Sequence, residues 1–79
     1  MTADVQQRVV KVVAHTLKVE PARATKDARF VEDLGAESMQ SVELVAAFEE
    51  EFDIELDEQE ALDVKSVGDA VEFISARLV

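Results

Sequence analysis

Apolar residues recur at helical spacing over most of the chain, and nowhere do they alternate as a strand would require. The first run, from Thr2 to about Leu17, carries Val5, Val9, Val12, Val13 and Leu17 on one face. Thr2 is a plausible N-cap, and Asp4 suits the positive first turn. Val19, Glu20 and Pro21 are expected to stop this helix, since proline disfavours helical geometry in the residue before it. The stretch from about Lys18 to Ala36 has no sustained period. A connection of that length is unusual in a compact domain and points to function or anchoring. Phe30, Val31 and Leu34 are its expected anchors.

A second helix is predicted from about Ser38 to Phe52. At about 100° per residue, Val42, Val45, Phe48 and Phe52 fall on one side, with Leu44 at the border. Met39, Gln40, Glu43, Ala46, Ala47 and Glu50 fall on the opposite, exposed side. After Asp53, "IELDEQEALDV" reads as a brief extended link and one or two helical turns around Glu58 to Leu62. The last helix opens with "SVGD", where Ser66 can cap and Asp69 completes a capping-box-like pair. Its predicted buried stripe is Val67, Val71, Ile74 and Leu78. The pattern therefore predicts an all-α fold, a small bundle of three main helices plus one short helix. With 79 residues and no repeat or low-complexity tail, one domain is expected to span 1–79.

Composition narrows the function classes. Cysteine, tryptophan and tyrosine are absent, so stability must come from packed aliphatic residues and nothing suggests an oxidising compartment. No apolar run approaches a membrane span and no signal-peptide pattern opens the chain, which places the protein in the cytoplasm. Net charge is −10 and unevenly spread: thirteen acids and no lysine or arginine lie between Phe30 and Val64. Such a surface repels nucleic acid and anionic lipid, which need cationic side chains, and attracts basic protein surfaces. A face that merely keeps the protein soluble has the same composition.

"DLGAESMQSVELV", residues 33 to 45, sets Ser38 between a glycine-marked turn and the second helix. A serine nucleophile needs a base in reach and a group to orient it. The only histidine, His15, sits in the first helix, and the elbow motif G-x-S-x-G is missing. A calcium loop starting at Asp53 fails at its sixth position, Glu58, and its twelfth, Val64, so no dedicated metal site is expected. Ser38 remains as an N-cap, or as a serine that is modified. A helix start offers unpaired N–H groups and a positive dipole, which favour a phosphate ester.

"DLGAESMQSVELVAAFEEEFDIEL" resembles the acyl carrier proteins, whose signature reads D-L-G-[AG]-D-S-L before an acidic amphipathic helix. The likeness extends through the acids of Glu49 to Asp53 and the closing "SVGDAVEFI". It implies that Ser38 receives 4′-phosphopantetheine from coenzyme A through an Mg²⁺-dependent phosphopantetheinyl transferase. The arm's thiol would hold acyl groups as thioesters, and the protein, itself no enzyme, would pass them between acyl-processing enzymes with basic docking patches. Glu37, Met39, Glu43, Ala47 and Glu50 would form the docking face of a monomer. Glu37, Met39 and Gln40 depart from the usual Asp, Leu and Asp, and Asp57 stands where proline is often found. These departures favour a specialised carrier over the general fatty-acid carrier. They also leave open an unloaded acidic interaction module of the same fold.

Overall fold

A computed structural model of the chain describes residues 2–78. Four helices follow one another: α1 (Thr2–Leu17), α2 (Ser38–Phe52), α3 (Glu58–Leu62) and α4 (Val67–Leu78). The fold is all-α, as the periodicity predicts. The Thr2 cap and the first-turn role of Asp4 rest on side chains outside the described residues. α1 packs against both α2 and α4. Its Val5, Val9, Val12, Val13 and Leu17 are all buried, joined by Ala14. Val9 and Val13 meet Val67 and Ile74 of α4 in the core cluster, each less than 2% exposed. Fully burying a valine or isoleucine stabilises by about 1.5–3 kcal/mol, so this α1–α4 seam carries much of the fold.

Backbone geometry, rather than proline, ends α1. Lys18 takes the left-handed conformation with φ 57. The Val19 N–H then turns back to the Ala14 carbonyl at 3.1 Å, capping the orphan C-terminal carbonyls. Pro21 comes later, as the first residue of a 3₁₀ turn, Pro21–Arg23, where its fixed φ is accommodated. α2 ends in the same way at Asp53, φ 54, with the Ile54 N–H on the Glu49 carbonyl at 3.2 Å.

The long connection is tied down by its backbone. Phe30 donates its N–H to the Lys65 carbonyl at 2.9 Å, and Val67 donates to the Ala28 carbonyl at 3.0 Å. Phe30 and Leu34 anchor the loop in the core as expected, with Ala24, Ala28 and Ala36 beside them. Val31 does not: it is 57% exposed. The turn that buries Phe30 and Leu34 sends the intervening side chain outward.

Three apolar assignments shift for related reasons. In α2 the buried residues are Leu44, Val45, Phe48 and Phe52, while Val42 is exposed. Counting from Phe48, Leu44 lies at about 40° and Val42 at about 120°, so the core-facing centre is rotated toward Leu44. In α4, Ala70 joins Val67 and Ile74 in the core, Val71 is half-buried, and Leu78 is exposed at the helix end. At the start of α4, the Asp69 N–H donates to Ser66 Oγ at 3.2 Å. The Asp69 carboxylate makes no return bond, so only the serine half of the expected box forms.

Candidate functional site

Ser38 stands one position further into the helix than an N-cap. Glu37, in extended geometry, is the cap, and Ser38 is the first helical residue. The chain reaches it through Gly35, whose φ of 73 closes the preceding turn with Ala36 N–H on the Phe30 carbonyl at 2.8 Å. Ala36 is buried and fixes the approach. The Gln40 side-chain carbonyl accepts the Glu37 N–H at 2.9 Å, and the Glu37 carboxylate faces the Gln40 N–H in return. This reciprocal capping box leaves the N–H groups of Ser38 and Met39 at the open, positive end of a 15-residue helix. No acid lies in the first turn of α2.

The Ser38 side chain is exposed, and its hydroxyl makes no hydrogen bond with any described residue. Among the described residues, neither His15 nor a carboxylate bonds it in the way a serine nucleophile requires. A hydroxyl free of capping duty, on a helix end that favours negative charge, fits a phosphodiester-linked group.

Behind the serine runs one exposed stripe of α2. Met39 is 78% exposed, and Glu43, Ala47 and Glu50 follow at helical spacing, with Ala47 half-buried and both glutamates exposed. Glu37 is exposed too, but its carboxylate is engaged in the cap. Among the described residues, no group of three or more His, Cys, Asp or Glu is arranged to hold a metal ion. Among the same residues, no helix is long and apolar enough to cross a membrane.

An apolar cavity of about 60 Å³ opens between α2, α3 and α4, lined by Phe30, Leu44, Phe48, Leu56, Ala61 and Ile74. Ser41 also lines it, and of the α2 residues there it is the nearest to Ser38, one turn along the helix. Its inward placement escapes a reading based on apolar periodicity, because a polar residue carries no signal there. α3, only five residues long, closes the cavity and is held at several points. Asp57 Oδ1 accepts the Glu60 N–H at 3.0 Å. Glu49 Oε2 accepts the Leu56 N–H at 2.9 Å. Arg77 of α4 bonds Glu60 at 2.6 Å while its guanidinium lies 4.0 Å from the centre of the Phe73 ring, which lines the cavity.

Two charged contacts show perturbed acids. The Arg29 backbone N–H, 2.8 Å from Asp33 Oδ2, lowers the Asp33 pKa against some desolvation, with the Arg29 guanidinium adding to the effect. The Arg8 guanidinium, 2.8 Å from Glu51 Oε2, likewise holds that carboxyl below its ordinary range. Arg8 also lies 4.4 Å from the Phe52 ring centre, joining α1 to the end of α2.

The sequence matches the family described as "Phosphopantetheine attachment site" over residues 7–74. An acyl carrier protein of Phenylobacterium zucineum (strain HLK1) is 51% identical over 76 residues, covering 96% of each chain. An acyl carrier protein of Caulobacter vibrioides (strain NA1000 / CB15N) is 48% identical over 75 residues, covering 95% of this chain and 96% of its own. These relatives bear the name of carriers rather than catalysts, and the family implies a covalently attached 4′-phosphopantetheine. Phosphopantetheinyl transferase and acyl-processing enzymes are the interaction partners that go with it. On the match across nearly its whole length, with four helices and an exposed serine at the head of the second, the chain belongs to the phosphopantetheine-attachment family of acyl carrier proteins.

Proposed function

We propose that Ser38 carries 4′-phosphopantetheine and that the protein shuttles acyl thioesters on this arm between enzymes of fatty-acid, special lipid or polyketide synthesis. The observation that carries the assignment is the exposed Ser38 hydroxyl, unbonded at the first position of α2. In loading, the Ser38 oxygen bonds to the phosphorus bearing the pantetheine arm of coenzyme A. The nucleotide portion leaves, and the hydroxyl proton passes to a base of the transferase. The stripe of Met39, Glu43, Ala47 and Glu50, with Glu37 at its head, is the docking face. Its acids steer basic partner patches, and Met39 supplies an adaptable apolar contact. The protein works as one domain over 1–79, as a monomer in the cytoplasm, in keeping with a cysteine-free chain and a self-repelling charge of −10.

The cavity behind Ser41 is the acyl site in this reading. Its 60 Å³ is well below the roughly 150 Å³ that encloses a benzene ring. A long chain therefore enters only if the helices spread. Comparing core chemical shifts between short- and long-chain loads checks this, and identical spectra would remove the cavity from the cargo path.

Incubation with coenzyme A, Mg²⁺ and a permissive phosphopantetheinyl transferase, followed by intact mass, tests the attachment. A gain of one phosphopantetheine, absent in Ser38→Ala, is expected. No gain with several transferases would leave an acidic docking module of the same fold.

A further inference from the structure

Beside the acidic stripe runs a second row of charge. Lys11 and His15 of α1, at i and i+4 on one side of the helix, and Lys18 just past its end are exposed. They border a shallow trough whose opposite rim is Glu43 and Glu50 of α2, with Thr16 and Ala47 half-buried in its floor. Lys11 and Lys18 make no ion pair or hydrogen bond with any described residue, nor do Glu43 and Glu50. Arg8, Arg29 and Arg77 behave differently, each holding a carboxylate of the chain. The trough thus keeps opposite charges on its two rims with no ion pair closed between them, while Lys11 acts from a distance on Glu51 of the facing rim and helps to hold its carboxyl low. Lys18 occupies its place with φ 57, a conformation that glycine adopts with less strain.

We infer that the α1 row is a specificity surface, which admits partner enzymes whose docking element carries an acidic row beside its basic one. This rests on the carrier reading. Basic side chains of such an element meet Glu43 and Glu50, while its acids meet Lys11 and Lys18. A uniformly basic patch meets repulsion along the α1 rim, and that repulsion is what discriminates between partners. A second copy of the chain offers the same two rows, but a net charge of −10 on each opposes its approach.

Two synthetic helical peptides of equal length test the inference by fluorescence anisotropy at low salt. One carries a row of arginines, and the other the same arginines plus a flanking row of glutamates. The native protein is expected to favour the two-row peptide over the all-basic one by about fivefold, from two exposed charge pairs. The double variant Lys11→Ala, Lys18→Gly is expected to lose that preference. Helix content by circular dichroism and loading of Ser38 by intact mass should both be unchanged in the variant. If loading fails in native protein and variant alike, the carrier reading fails whatever the peptides do. Two results would overturn the inference while loading succeeds. One is an equal peptide preference in native and variant protein. The other is a concentration-dependent dimer that the variant abolishes, which would make a second copy the occupant.

Discussion

Gln40 reaches back across Ser38: its side-chain carbonyl accepts the Glu37 N–H at 2.9 Å, so the serine sits inside a closed hydrogen-bonded frame. Glutamine at this position removes an acid from beside the site and keeps the capping acceptor. Losing such a cap costs about 0.5–2 kcal/mol. Gln40→Ala should therefore lower stability within that range in urea unfolding, while Gln40→Glu, which retains an acceptor, should stay close to native. Equal stability of all three proteins would show that the frame does not hold the start of α2.

Glu51 links the α1–α2 contact to pH. Hydrogen bonding from Arg8 lowers its folded pKa from the ordinary 4.5, with desolvation opposing. Its contribution is therefore fully present above pH 4.5 and is lost as pH falls through the lower folded value. General neutralisation of acids relieves self-repulsion over the same range, so the comparison must be internal. The melting-temperature gap between native protein and Glu51→Gln should be widest near neutrality and close in acid. A gap independent of pH would mean that the Arg8–Glu51 pair contributes no charge-dependent stability.

Gly68 is placed where a side chain has no room. A Cβ there would lie 2.9 Å from Lys26 Cγ and 3.0 Å from the Lys26 carbonyl, which the Gly68 N–H binds at 2.9 Å. Alanine gains about 0.5–1 kcal/mol in helix preference, but overpacking costs about 1–3 kcal/mol, and the backbone carbonyl yields less readily than the lysine stem. Gly68→Ala should be destabilising on balance and should speed amide exchange from Lys26 to Phe30. A more stable variant would show that the loop shifts at little cost.

Thirteen acids without a base between residues 30 and 64 should repel one another more than the few ion pairs recover. Raising salt from low ionic strength to 0.15 M, where screening acts over about 8 Å, should raise the melting temperature by a few degrees. Mg²⁺ should act at lower concentration. A flat or falling curve would count against repulsion as a material term in stability.

What the sequence revealed divides along physical lines. The apolar stripe of α1 was legible because the helix packs against both α2 and α4, and all five of its predicted positions are buried. The motif singled out Ser38 as the candidate, but its rank as first helical residue, rather than cap, depends on Glu37 and Gln40 bonding each other. Val31, Val42 and Leu78 misled because hydrophobic character fixes a preference and not a direction. A turn, a rotated helix face and a helix end decided each case. Ser41 and the Arg77–Glu60 bond lay beyond a periodic reading, since they depend on contacts between different helices.

Five residues make α3 far too short to persist as an isolated helix in water. Its shape is borrowed from the carboxylates of Asp57 and Glu49 and from Arg77, bonds that open more cheaply than the valine seam beneath. The 60 Å³ behind it is therefore enclosed by an element that three polar bonds hold in place, not by the packed valines of the seam.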